Sequence, residues 1–134
     1  MSGERKRLGN WGEALTAEYL RQEGYTILFT GYRCQMGEID LIAQREDVIA
    51  FVEVKTRRSQ RCGQGREAVD ARKQARLFAA ARHYLTEHPA EDSYLRFDVA
   101  DFFAPQGTST PSPELNYLEN DFQVEEWGAD YTPY

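Results

Sequence analysis

With 134 residues, 41% of them apolar, the chain is long enough for one domain with a sizeable core and too short for a second. Its two cysteines, Cys34 and Cys62, lack the paired spacing of a zinc site and are too few for a secreted disulfide scaffold, so both are read as free thiols. A net charge of −6 argues against a nucleic-acid partner only if it is evenly spread, and no apolar run approaches the roughly 18 residues of a membrane-spanning helix.

The start, MSGERKRLGNWGE, is charged without an apolar run after it, so no leader is expected and the protein is placed in the cytoplasm. NWGEALTAEYLRQEGY reads as the first helix: Asn10 is its N-cap, Ala, Leu and Tyr recur at helical spacing, and Gly24 stops it. Glu13 falls in the first turn, beside the apolar face that carries Ala17 and Leu20. YTILFTGYR is a strand rich in β-branched and aromatic residues, followed by a turn around Cys34 to Gly37 and a second strand, GEIDLIAQ. QRED is a tight turn into VIAFVEVKT, a third strand that is apolar on both faces, hence central, and antiparallel to the second.

RCGQGRE is a glycine-bearing loop ahead of a long alanine-rich helix, about Glu67 to Glu87, which His88-Pro89 ends. YLRFDVADFFA is a fourth strand and PQGTSTPSPE a flexible linker. A short edge strand is expected within 117–126, and the tail WGADYTPY reads as weakly anchored. The order α-β-β-β-α-β, with a parallel return through the second helix, predicts an α/β protein: a mixed sheet flanked by helices over residues 1–105, with an acidic appendage over 106–134. The appendage holds six acids and no Lys or Arg; 22 acids less these six leaves 16 against 16 bases, so the remainder is neutral and can carry local basic patches.

The third strand poses a problem. Side chains two apart share a strand face, so Glu53 and Lys55 point together with Ile49 and Phe51, while Asp40 lies on the neighbouring strand. A lone buried carboxylate is costly unless it is paired or binds a metal. One reading is structural: Glu53 with Lys55, or Asp40 with an arginine, as an ion pair. The other is a metal site, in which two carboxylates and a carbonyl such as that of Val54 suit Mg²⁺ or Mn²⁺ and suit zinc poorly. A magnesium ion held this way, with an amine beside it, has the chemistry to cut a phosphodiester.

Ile39-Asp40 and Glu53-Val54-Lys55 resemble the bipartite signature of the PD-(D/E)xK nucleases of restriction-endonuclease-like fold. More specifically, the chain resembles the YraN family of bacterial proteins, themselves similar to Holliday-junction resolvases. The matching elements are Gly12-Glu13, Ala17, Tyr19-Leu20, Gly24, GEIDLIA, FVEVKTR, Ala68-Val69, Lys73, Arg76-Leu77, Tyr84-Leu85, RFDV at 96–99 and ENDF at 119–122, so the match spans about residues 8 to 122. It departs at Gly31-Tyr32-Arg33, where relatives usually carry Asn before the Arg.

The resemblance implies a restriction-endonuclease-like core and a metal-dependent endonuclease acting on DNA, with branched or single-stranded DNA among its substrates and a homodimer as the working form. It makes Asp40 and Glu53 metal ligands, Lys55 the catalytic amine, and Glu13 a helix-borne acid that completes the site or holds a second ion, with a capping-box carboxylate three residues after Asn10 as the plainer alternative for Glu13. Glu38 shares the face of Asp40 if the strand is regular and is otherwise at its exposed start. Arg57, Arg58, Lys73 and Arg76 are assigned to phosphates, with a solvated surface as the plainer alternative. Asp98 is expected to pair with a base such as Lys73 or Arg76, and His83 and His88 to play helix-terminal or surface roles. A nucleic-acid-binding or adaptor module with the same fold and little turnover is the alternative function.

Overall fold

The computed structural model describes residues 2–59, 70–123, 127 and 131–134. In chain order its elements are α1 (Ser2–Gln22), β1 (Thr26–Cys34), β2 (Gly37–Arg45), β3 (Val48–Arg57), α2 (Ala71–Glu87), β4 (Tyr94–Phe103), β5 (Glu114–Phe122) and β6 (Thr132–Pro133). The sheet runs β1-β2-β3-β4-β5, and β6 adds to β4 beyond the end of β5. β1, β2 and β3 are antiparallel neighbours, whereas β3 and β4 are parallel, because α2 carries the chain back across the sheet between them. This is the expected mixed sheet, with β3 in its middle.

The sidedness of β3 explains the layers. Ile49 and Phe51 join Leu77, Ala80, Ala81, Tyr84 and Leu85 of α2 in one buried cluster, whereas Ala50 and Val52 join Ala17 and Leu20 of α1 in a second. Both faces are therefore covered, one helix to each, which is why the strand carries no polar alternation. Among the described residues no helix is long and apolar enough to cross a membrane.

Several boundaries differ from the reading of the sequence. α1 begins at Ser2, so Asn10 lies inside the helix and caps nothing; Glu4 occupies the first turn, where its charge suits the helix dipole. Glu4 also pairs with Arg58 at 2.8 Å, a tertiary contact that no local signal announces. The α2 cap is Asp70, whose carboxylate accepts from the Lys73 N–H at 2.8 Å; the expected start at Glu67 lies outside the described residues, as does Cys62. The stretch after β4, read as a linker, forms a 3-10 turn at Gly107–Ser109 that is tied down by the Gln106 N–H on the Thr110 hydroxyl.

Asp98 does not meet the bases of α2. Arg96 and Asp98 are alternate residues of β4, hence on one face, and they form a bidentate pair at 2.8 and 2.9 Å with both side chains buried. The Tyr117 hydroxyl and the Asn120 N–H complete Asp98's shell at 2.6 and 2.9 Å, and the Tyr25 hydroxyl accepts from Arg96. Thus the RFDV and ENDF motifs are two halves of one polar knot that fastens β5 to β4.

The tail is also anchored. Trp127 is buried and stacks on Phe51 and Phe97, with Phe78 against its edge. Aromatic burial on this scale outweighs the absence of any strand periodicity in its sequence. Trp127→Ala is expected to cost about 3 kcal/mol in urea unfolding, the typical loss for a buried tryptophan; a change near zero would mean the tail is not part of the core.

Candidate functional site

The pairing of β2 with β3 ends at Leu41 and Val52. Beyond that point the Val54 N–H donates to Asp40 Oδ2 at 2.8 Å, so a side-chain carboxylate takes the ladder position of a main-chain carbonyl. Asp40 thus holds the two strands where they part. Its place follows from a break in the pleat: Ile39 belongs to the cluster under α2, whereas Leu41 belongs to the cluster under α1. On β1, Gly31 lies between the partners of these two residues and has φ of 64°, a left-handed conformation that glycine adopts without strain. The strand turns over at Asp40, which brings its carboxylate within reach of both faces.

Glu13 reaches it from the α1 side. Gly12 is what permits the approach, since a Cβ there would stand 2.6 Å from Thr56 Cγ2 and 3.3 Å from Val54 Cγ1. With the helix seated on β3, Glu13 stands close enough to Asp40 for each carboxyl group to affect the other's protonation. Glu53 reaches the site from the face of α2: it is buried, and its carboxylate pairs with the Lys73 ammonium. Lys55 follows on the same face, half-buried.

Burial pushes the Asp40 carboxyl up from its ordinary 3.8 to about 7, with the charge of Glu53 and then that of Glu13 adding to it and the Val54 N–H opposing. The Glu13 carboxyl is raised too, first by burial and then by Glu38 and Glu53. Among the described residues no three His, Cys, Asp or Glu side chains converge as a ready ligand cluster. The donors that could take a cation are the carboxylates of Asp40 and Glu53, with Glu13 behind Asp40; this all-oxygen set has the chemistry of Mg²⁺ or Mn²⁺ sites.

The other assigned residues separate. Glu38 is at the exposed start of β2, 3.3 Å from Arg33. Arg57 makes a bidentate pair with the buried Asp101 at 3.1 and 2.8 Å, and Arg58 is taken by Glu4. Arg76 lines a cleft of about 390 Å³ beside the carboxylates, together with Arg33, Cys34, Glu38 and Lys73. His83 stands apart, with Nδ1 2.7 Å from the Tyr32 hydroxyl, and His88 caps the end of α2. Two features escaped the sequence: Lys73 as the partner of Glu53, and Arg33 as a wall of the cleft. Neither has a local signal, because each depends on how α2 lies across the sheet.

Fold and site together define an α/β protein with a restriction-endonuclease-like arrangement of core elements, carrying a buried acidic cluster where two central strands part. The model of the uncharacterised protein family UPF0102 matches residues 12–102, and the chain belongs to this family, the YraN group whose motifs it carries. It is 40% identical over 119 residues to a UPF0102 protein of Clostridium perfringens, covering 89% of this chain and 96% of that one. A UPF0102 protein of Alkaliphilus metalliredigens is 42% identical over 117 residues, covering 87% and 98%. One from Desulfitobacterium hafniense is 44% identical over 100 residues, covering 74% and 83%.

The raised carboxyl has a consequence for stability. Folded Asp40 keeps its proton up to about pH 7, whereas an unfolded aspartate loses it near 3.8, so the folded state binds more protons between those values and stability falls as pH rises through them. Asp40→Asn removes this dependence while keeping an acceptor for the Val54 N–H. The variant is expected to be more stable than the parent at pH 8 by about 4 kcal/mol and nearly equal to it at pH 4. Parallel unfolding curves at all pH values would contradict the assignment.

Proposed function

We propose that this protein is a metal-dependent endonuclease that hydrolyses DNA phosphodiester bonds, with Asp40 and Glu53 as ligands of Mg²⁺ or Mn²⁺. The observation that supports this most is the position of Asp40, held by the Val54 N–H in the gap between β2 and β3 and crowded there by Glu53 and Glu13. Lys73 pairs with Glu53, and the carboxyl groups of Asp40 and Glu13 are both held protonated above their ordinary range, first by burial and then by the neighbouring acids.

When bound, the divalent ion polarises a phosphoryl oxygen and lowers the pKa of a coordinated water. The chain's own residues do the rest. Asp40 and Glu53 fix the position of the ion from two strands whose geometry is set by the sheet. Glu13, whose carboxyl group is raised beside Asp40, releases a proton as positive charge enters. Lys55, on the face of Glu53 two residues on, holds its ammonium against the charge that develops on the phosphate. Arg33, Lys73 and Arg76 line the adjoining cleft and supply positive charge for the flanking phosphates.

Branched or single-stranded DNA as the preferred substrate, and a homodimer as the form that cuts two strands, follow from the resemblance to junction resolvases. Binding without turnover is the competing function. It is weakened by the bidentate pairing of Arg57 with the buried Asp101, which removes one of the four bases assigned to phosphates.

The test is cleavage of labelled single-stranded, duplex, flap and four-way-junction DNA in Mg²⁺ or Mn²⁺, beside Asp40→Asn and Lys55→Ala. Cutting by the parent and a loss of about 100-fold or more in each variant is expected, the scale of removing a group that stabilises transition-state charge. Undiminished cutting by Asp40→Asn, or none by the parent on any substrate, would leave a binding module as the better description.

A further inference from the structure

We infer that Lys73 is an exchangeable internal cation: it neutralises Glu53 in the metal-free site, and a metal ion arriving at Asp40 and Glu53 releases it into the adjoining cleft to hold a substrate phosphate. The inference rests on the metal reading above and adds to it an order of events, with ion and phosphate binding each favouring the other.

The two partners of this ion pair differ in freedom. The Glu53 side chain is 10% exposed and belongs to the central strand, whereas that of Lys73 is 48% exposed. The main chain of Lys73 is fixed by the Asp70 cap, so only its four-carbon stem can swing. At one end of the swing lies Glu53; at the other lies the cleft, which Lys73 itself lines. The ammonium thus stands on an acid of the cluster and also borders open space.

The cleft is shaped for an anion. Gly37 packs the turn between β1 and β2 onto α2, since a Cβ there would lie 3.2 Å from the Arg76 carbonyl oxygen. This contact brings Arg33, on β1, and Arg76, on α2, to one cleft. Arg33 pairs with Glu38, both side chains being well exposed, and such pairs are weak enough to be exchanged for a phosphate. A phosphodiester in the cleft would therefore meet two arginines at once and a third cation only after Glu53 has found another partner. By reciprocity, whatever binds Glu53 strengthens the cleft, and whatever binds the cleft through Lys73 strengthens the ion site.

The test uses the full chain free of metal. Mn²⁺ binding is followed by the spectrum of the free ion, and the lysine ammonium signals of ¹⁵N-labelled protein are followed by NMR. A slowly exchanging ammonium signal is expected in the parent, absent in Glu53→Gln and lost on adding Mg²⁺. Lys73→Met is expected to bind Mn²⁺ about 5-fold more tightly or better, the low end of ordinary couplings between sites, with Lys73→Gln as a second variant should the first fold poorly. Affinity for a labelled single-stranded oligonucleotide should rise with Ca²⁺ in the parent, and this rise should disappear in the variants.

Mn²⁺ binding by the parent with no tightening in either Lys73 variant would overturn this inference and leave the metal site intact. Tightening without any loss of the Ca²⁺ effect on the oligonucleotide would overturn the transfer to phosphate. No Mn²⁺ binding by parent or variants would overturn the metal reading and the inference with it.

Discussion

The hydrogen bond from the Val54 N–H to Asp40 decides where everything else in the site can be. A strand pair normally satisfies its amides from the neighbouring main chain, and a buried amide left without a partner costs about 1–3 kcal/mol. Here the partner is a carboxylate, so β2 and β3 separate without an orphaned donor. The separation opens the middle of the sheet, and the group that makes it possible is one of the acids the opening exposes.

The rest of the fold holds this opening in place from both sides. Gly12 lets α1 lie against Val54 and Thr56, which delivers Glu13, while α2 on the other face delivers Lys73 to Glu53. The far side of the sheet is locked by Arg96 and Asp98, whose charges are satisfied by one another and by Tyr25, Tyr117 and Asn120. The contrast between the two sets of buried charge is informative. Asp98 has an arginine and two further donors, whereas Asp40 accepts from one amide and feels the charges of Glu53, Glu13 and Glu38. The first arrangement is complete in itself, and on the proposed reading a divalent cation completes the second.

Much of this was legible in the residues. Asp40, Glu53 and Lys55 stood out because charges in a strand apolar on both faces break the pattern that burial imposes, and the same pattern placed β3 in the centre and α2 as a parallel crossover. Glu13 came from the resemblance, since its spacing alone also fits an ordinary first-turn acid. What was not legible depended on contacts between distant segments. The true start of α1 was hidden by the cap-like Asn10; the anchoring of Trp127 comes from aromatic partners on β3, β4 and α2. The pairing of Asp98 with Arg96 was within reach, because residues two apart on a strand share a face, yet the bases of the helix were the more conspicuous partners. Arg57 and Arg58 were given to phosphates because their counter-ions, Asp101 and Glu4, lie 44 and 54 residues away in the chain.

The central claim is that the acids between β2 and β3 are kept in the core for a divalent cation. The most direct measurement is anomalous X-ray diffraction from crystals soaked in Mn²⁺. The account expects a single strong manganese peak bounded by the carboxylates of Asp40 and Glu53, with the Lys73 ammonium displaced from Glu53. A peak elsewhere, or an unaltered Lys73–Glu53 pair with no manganese beside it at saturating concentration, would contradict it.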